Sequence, residues 1–537
     1  MKDKKKGQKQ SNKKLSLKWA GDLFLSGFGG CLYALSLPAP SVAVLAWVSL
    51  VPLLFAIKDY RPYKALVLGF TFGIFANLGV FYWTALPASR FGGVPIVVGV
   101  LITILLVTYV SIYFAIFSAF VSWTRERFGL SGFVSVPISF VALEYLRGIL
   151  FTGFPWGFLG HSQIPFLPII QILDITGVFG VTFAIAAVNA AIYLVILKFS
   201  GERKKFPWVE SIVSITLVAI LFTYGLYAIK RETRKADLGK EITVALIQVN
   251  IRQDLKWDPA YQENTVSIFE EMTLSVVEAN PDIVIWPESA TPFFFRRHQI
   301  YRPRVEALSI NAGTYLFFGT PDFLVEESSE GDRYIYFNSA YLLNSEGLIV
   351  DKYDKMHLVP FAEYVPLKKL FFFVDKIVQG VGDFRQGEND NPLKTDFGPV
   401  GTLICYEAIF PKATKEYAKK GAVLFINITN DAWFGKTSAP YQHFAMSRIR
   451  AIETRIPLVR SANTGITAIV HPSGRVEGQT PIFKRRAVVA KVVARNRLTF
   501  YTRFGDIFAQ IVTIAFLLPF LIHLLGIAKV FRAKKRA

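Results

Sequence analysis

Eight apolar stretches, at 19–37, 42–57, 64–85, 94–123, 130–150, 166–197, 209–229 and 505–528, constrain this chain more than anything else in it. A helix crosses the roughly 30 Å hydrocarbon layer with about 20 mostly apolar residues. The second stretch is short for that and the sixth is long. The sequence therefore predicts an α-helical membrane bundle of eight spans. Composition agrees: the 537 residues are 52% hydrophobic and only 19% charged, too little charge to wet the surface of a soluble protein of this size. Gly69 and Gly73 form a small-xxx-small pair suited to close helix packing. The basic start followed by an apolar stretch has the outline of a secretory signal. Further spans follow it and no small-x-small site closes it, so it is expected to stay as the first span.

Charge sets the expected orientation. The net charge of +20 lies mainly at the ends and in short connections, a topology pattern and not a groove for nucleic acid. "MKDKKKGQKQSNKKLSLK", "KDYRPYK", "KFSGERKKF" and "KVFRAKKRA" are basic and "TRERFG" weakly so, whereas "PAPS", "PASRFGG" and "ILFTGFPWGFLGHSQIPF" carry hardly any positive charge. The basic loops all fall on one side, the cytoplasmic one by the positive-inside rule. Both termini are then inside and the segment of about 231–500 is outside. The expected division is a basic N-terminus at 1–18, seven spans over 19–230, an outer domain at 231–500, an eighth span at 501–528 and a basic tail at 529–537.

The outer segment has a different texture. "ITVALIQVNI", "DIVIWPES", "TYLFFGTPD", "YFNSAYLLN", "PVGTLICYEAIF", "AVLFINITND" and "ITAIVHPSG" are short β-type runs bounded by turn residues. Helical patterns at 259–279, 411–420 and 441–456 lie between them. This alternation predicts one α/β domain. Glu288, Lys355 and Cys405 stand at the ends of such strands, in "DIVIWPE", "GLIVDKYDK" and "GTLICYE". Thiol-mediated acyl transfer needs a base, a positive or amide group for the oxyanion, and a proton donor for the leaving group, and these residue types can supply all three. A single cysteine in an apolar strand is nevertheless most often a core residue, so the strand alone does not assign Cys405. Cys31, the other cysteine, is expected to be a buried small residue.

The surrounding strings narrow the choice. "WPES", "YDKMHLVPFAEYVP" and "CYEAIFP", in that order, resemble the nitrilase (carbon–nitrogen hydrolase) superfamily. With the spans, "EYLRGILFTGFPW" (144–156), "TNDAWFG" (429–435) and "RAIETRIPLVRSANTGITA" (450–468), the chain resembles the apolipoprotein N-acyltransferase family. That resemblance implies a nitrilase-like αββα sandwich carried by the bundle in a bacterial inner membrane. It also implies a ping-pong reaction: Cys405 takes an acyl chain from a phospholipid as a thioester, and the N-terminal amine of a diacylglyceryl-cysteine on an apolipoprotein receives it. The resemblance makes Glu288 the general base. Lys355 holds the oxyanion together with the backbone N–H of Tyr406, and Glu363 supports Lys355 or Glu288. Glu407 and Trp257 match positions near the site. The residue before Glu363, usually Gly in the family, is Ala362.

Other features weigh less. Two segments mixing aromatic and basic residues, 291–304 and 366–378, suit an interfacial lid, with Phe371, Phe372 and Phe373 dipping into lipid. Glu144 and Arg147 suit a structural i, i+3 pair, and Asp174 is left open between structure and function. The six histidines have no metal-ligand spacing, so no metal or other cofactor is expected. His357 and His443 are weaker candidates than Glu288 for the base. A self-contained site gives no reason to expect more than a monomer. The alternative activity is a membrane-anchored nitrilase-type amidase, in which water resolves the thioester.

Overall fold

A computed structural model describes residues 2–91, 95–234, 239–327, 332–360, 362–364 and 384–526. The chain forms two compact units. One comprises 1–82, 101–225 and 506–537, and the other 83–100 and 226–505.

The first unit is helical. Among the described residues six helices are long and apolar enough to cross a membrane: Pro62–Pro87, Ile96–Phe128, Gly132–Thr152, Val178–Phe199, Trp208–Arg234 and Ile507–Leu524. The first apolar run forms the second half of α1 (Lys2–Ser36). The second and sixth runs are not single helices. Residues 42–57 divide into a 3-10 turn, Ala43–Trp47, and a seven-residue helix, Val51–Ile57. In the sixth run Gly177, at φ +60°, separates short helical turns from Val178–Phe199. Broken backbone at membrane depth requires other hydrogen-bond partners, and buried amides provide them. Asn189 accepts from Leu50 N (2.9 Å) and donates to Ala46 O (2.9 Å), while Gln163 donates to Ala43 O (3.0 Å).

Small residues set the helix spacing, because lipid offers no hydrophobic drive and close contact must hold the helices together. The expected pair lies at such a contact between α2 (Pro62–Phe81) and α3 (Ile96–Phe128). A Cβ on Gly73 would come within 2.8 Å of Ser111 Cα, and one on Gly69 would overlap Ser118 Oγ and the Phe114 carbonyl. Two sequence expectations change. Cys31 is exposed on α1; an apolar side chain on a membrane helix has no need of the protein core. Glu144 and Arg147 bond elsewhere, not to each other. Glu144, on α4 (Gly132–Ile149), accepts from Leu159 N (2.7 Å) and from Thr182 Oγ1 (2.8 Å) on α5 (Val178–Phe199), and Arg147 lies over the Phe158 ring at 4.8 Å. Asp174 accepts from Tyr224 OH (2.7 Å).

The second unit contains two sheets, ordered β11-β1-β2-β3-β4-β5 and β10-β9-β8-β7-β6. In the first, β1 (Lys240–Gln248), β2 (Ile283–Ile285) and β3 (Tyr315–Glu326) are parallel, and β4 (Arg333–Leu343), β5 (Ile349–Asp354) and β11 (Arg486–Ala494) each pair antiparallel. In the second, β6 (Val400–Ile404), β7 (Leu424–Thr429) and β8 (Leu458–Ala462) are parallel, and β9 (Ala468–Val470) and β10 (Val476–Glu477) complete it. Period-2 alternation sorts the side chains. Val244 and Leu246 join Leu403, Phe425 and Leu458 between the sheets. Ala245 and Ile247 instead meet Phe269 and Leu308 of α6 (Gln262–Leu274) and α7 (Tyr301–Ala312). With α8 (Pro411–Lys419) and α9 (Ala439–Thr454) against the second sheet, the layers run helix, sheet, sheet, helix. That is the expected α/β sandwich.

Segment 291–304 is only partly exposed, with Arg297 and Ile300 facing outward. Phe293 and Phe295 are buried, Arg296 pairs with Asp322 (2.7 Å), and Arg304 pairs with Glu263 and Glu270. Phe371, Phe372 and Phe373 lie outside the described residues.

Overpacking a close helix contact costs about 1–3 kcal/mol. Gly73→Leu should therefore lower the melting temperature of the detergent-purified protein. A Cβ on Gly21 would meet nothing within 4 Å, so Gly21→Ala should leave melting unchanged or raise it slightly. Equal effects of the two substitutions would refute the packing account.

Candidate active site

Three strands deliver the candidate residues to one edge. Glu288 follows β2 and Cys405 follows β6, both at carboxyl ends of parallel strands. Because β5 is antiparallel to β4, which is antiparallel to β3, the end of β5 that carries Lys355 lies on the same edge as that of β2. Carboxyl ends of parallel strands are where α/β folds open a site. The Glu288 turn sits directly on β3: a Cβ at Gly319 would come within 2.7 Å of Glu288 Cα. Glycine is needed there for close approach.

The centre is a buried group of charges. Lys355 Nζ is 2.9 Å from Glu363 Oε1 and 3.9 Å from Glu288 Oε1. Asn338, on β4, donates to Glu288 Oε1 (2.8 Å) and Glu363 Oε1 (2.9 Å). Asn430 N donates to Glu288 Oε2 (2.9 Å), and Val359 N to Glu363 Oε2 (2.8 Å). Burial pulls the Lys355 ammonium down, but Glu363 and Glu288 outweigh it and the net shift is upward. Burial pushes the Cys405 thiol well up, and the Glu288 carboxylate adds to this against the opposing Lys355 charge. The resting group is thus a neutral thiol beside a held carboxylate and a stable ammonium.

Cys405 has φ +53° and begins a 3-10 turn, Cys405–Ile409. The turn is tied down by Glu407, a buried carboxylate accepting from Ile404 N (2.7 Å), Tyr353 OH (2.8 Å), Met356 N (2.8 Å) and His357 N (3.0 Å). Glu407 therefore fastens the segment carrying Lys355 to the one carrying Cys405. Tyr406 is the second residue of that turn. Trp257 keeps 38% of its surface exposed.

Three further residues belong to this site. Asn338 bridges the two carboxylates. Lys256, buried beside Trp257, donates to the Glu288 carbonyl (3.0 Å), and burial lowers its ammonium to about 8 against the raising effect of Glu288. His443 Nε2 lies 3.0 Å from the Cys405 carbonyl oxygen. No spacing signal marks Asn338 or Lys256; only the register of β4 against β5 and the fold of the turn bring them in. The histidines considered as bases are otherwise engaged. The His357 ring lies tilted against Phe410 with centroids 3.7 Å apart, and burial, aided by the Lys355 charge, lowers it to about 4.

These features define a class, a carbon–nitrogen hydrolase domain in a chain with membrane helices. Residues 243–498 match the carbon-nitrogen hydrolase family, and residues 29–191 match the apolipoprotein N-acyltransferase N-terminal domain. An apolipoprotein N-acyltransferase of Geobacter metallireducens is 42% identical over 91% of this chain and 92% of its own. One of Haemophilus ducreyi is 33% identical over 90% and 92%. An amidase from Nesterenkonia sp. has 20% identity, covering 51% of this chain and 96% of its own, with a TM-score of 0.37. The chain belongs to the apolipoprotein N-acyltransferase family.

Below the thiol, Asp431 is fully buried against Arg460 (2.9 Å) and His443 (3.0 Å). Burial alone would raise its carboxyl, but Arg460 and His443 outweigh that and hold it at about 2, against 3.8 ordinarily. A depressed carboxyl contributes stability above its unfolded value and loses it as pH falls through the folded one. Asp431→Asn, a stand-in for the protonated form, should cost about 2 kcal/mol near neutral pH. The difference in melting from wild type should narrow between pH 4 and 2. A difference independent of pH would exclude the charge as its origin.

Proposed function

We propose that this protein moves a fatty acyl chain from a membrane phospholipid, through a thioester on Cys405, to the N-terminal amine of a diacylglyceryl-cysteine on apolipoproteins. The observation that carries this is the 42% identity to an apolipoprotein N-acyltransferase over 91% of the chain. A soluble-type amidase would account for only the 243–498 match and leave 29–191 unexplained.

Glu288 takes the proton of Cys405, and the sulfur attacks the ester carbonyl. The oxyanion forms against Lys355 and the Tyr406 backbone N–H. Its collapse expels the lysophospholipid oxygen, which takes the proton back from Glu288. The acceptor amine then attacks the thioester while Glu288 removes its proton, and the thiol is released as the amide forms. The raised thiol supports the need for a base, and the raised lysine supports a lasting positive charge. Glu363 and Glu407 act as positioning residues. Trp257 and Phe371–Phe373 are assigned to lipid contact on resemblance and composition.

The same reading keeps eight spans, with 42–57 and 166–197 as crossings built from broken helix. It keeps the division 1–18, 19–230, 231–500, 501–528 and 529–537. The basic connections support cytoplasmic termini and a catalytic domain on the periplasmic side of the inner membrane. The site needs one copy of the chain.

Purified protein given phospholipid should gain an acyl mass that hydroxylamine removes and Cys405→Ala abolishes. Glu288→Gln should slow its formation by about 10²–10⁴-fold, the usual contribution of a general base. A diacylated lipopeptide should discharge the adduct faster than water does. No adduct on the wild type would sink the acyl-transfer reading, and discharge by water alone would leave an amidase-type hydrolase.

A further inference from the structure

His443 has a geometry that neither the base nor the oxyanion assignment uses. It lies on α9, fully buried, with Nε2 3.0 Å from the Cys405 carbonyl oxygen. A carbonyl can only accept, so Nε2 carries a proton and donates it. It is therefore engaged with the main chain of the nucleophile, not with its thiol. The other ring edge is equally fixed: Nδ1 is 3.1 Å from Arg460 Nη2 and 3.0 Å from Asp431 Oδ1. Arg460 and Asp431 bond each other (2.9 Å), and Thr429 Oγ1 donates to Asp431 Oδ1 (3.1 Å). Arg460 also donates to Ile466 O (3.2 Å) and Ser447 Oγ (3.0 Å). The ring is thus clamped by Asp431, from the turn after β7, and by Arg460 of β8.

A fully buried ion pair contributes little to stability compared with apolar residues of the same size. Its place under the nucleophile calls for another explanation, and peptide geometry supplies one. The bond between Cys405 and Tyr406 is trans, so its C=O and N–H point in opposite directions across one rigid plane. Whatever fixes the Cys405 oxygen fixes the direction of the Tyr406 N–H. The plane needs fixing: φ of +53° at Cys405 is a sparsely populated conformation for a side-chain-bearing residue, costing about 1–3 kcal/mol.

We infer that His443, clamped by Asp431 and Arg460, is a positioning residue that locks the 405–406 peptide plane and so aims the Tyr406 N–H at the oxyanion. This rests on the proposed role of that N–H. The donor at Nε2 matters here, and the ring's ability to exchange a proton does not. Glutamine can place an N–H near the position of Nε2, whereas the shorter asparagine reaches only the Nδ1 position.

The test uses the full-length protein in detergent, with two reactions at Cys405. Acyl transfer from phospholipid passes through an oxyanion; alkylation by iodoacetamide displaces iodide and does not. His443→Asn should slow acyl-adduct formation roughly 10- to 100-fold, less than or equal to the loss of a whole oxyanion donor. Alkylation, read on the Cys405 peptide, should stay at the wild-type rate. His443→Gln should return acylation to within a few-fold of wild type. Acylation by His443→Asn at the wild-type rate would overturn the inference, as would a parallel fall in both reactions or failure of His443→Gln to restore acylation. A wild type that forms no hydroxylamine-labile adduct would instead remove the acyl-transfer reading on which the inference rests.

Discussion

A lysine ammonium with 1% of its surface exposed persists only if neighbouring anions replace the water it has lost, because an unpaired buried charge costs several kcal/mol. Lys355 has that replacement in Glu363 at 2.9 Å and Glu288 at 3.9 Å. Two carboxylates this close would repel each other without a positive charge and a shared donor, and Asn338 is that donor. The four side chains therefore require one another. Their joint requirement dictates much of the surrounding structure: the register that puts Lys355 N on Asn338 O (2.8 Å), the Asn430 amide turned onto Glu288, and the glycine on β3 beneath the Glu288 turn. The same group sets the electrostatics of the thiol: burial and the Glu288 carboxylate both push Cys405 up, against the opposing Lys355 charge.

The membrane helices obey the same rule with backbone groups in place of charges. Asn189 and Glu144 are polar residues in apolar stretches and Gln163 lies in the connection between two of them, and each is aimed at main-chain groups that a broken helix leaves open. Their presence and the irregular segments are one feature seen twice. An uninterrupted helix would need none of them.

This explains what could be read from the sequence. Strand and helix pattern marked β1, β3, β4, β6 and β7 and the helices after 262, 411 and 439, because the strands are short apolar runs bounded by turn residues and the helices each carry an apolar face. The order of Glu288, Lys355, Glu363 and Cys405 was legible because Glu288, Lys355 and Cys405 sit in long strings at strand ends and Glu363 lies in the same string as Lys355. Hydropathy was blind to helix breaks, since Val51–Ile57 and the turns before Gly177 are as apolar as continuous spans. It also overstated the exposure of 291–304, where arginines that look free in the sequence pair with acids 26 to 41 residues away. Asn338, Lys256 and His443 carry no local signal. Their contacts, to residues 50, 32 and 38 positions away, exist only once the sheets are assembled.

Strain at the site follows a common pattern. Cys405 at φ +53° and Ser289 at φ +49° are both side-chain-bearing residues in the left-handed region, one holding the thiol and the other directly after Glu288. At each turn a main-chain carbonyl is held by a buried basic side chain: Cys405 O by His443 and Glu288 O by Lys256, both at 3.0 Å. A tip that leaves a sheet edge sharply presents its side chain to the site but also frees a carbonyl that no neighbouring strand can pair. Leaving that carbonyl unpaired in a buried site would cost about 1–3 kcal/mol on top of the strain. A side chain reaching in from another element removes that cost and fixes the peptide plane in the same contact. The Glu288 and Cys405 turns are thus set by one device used twice, with the lysine and the histidine acting on the backbone and not on the side chains those turns present.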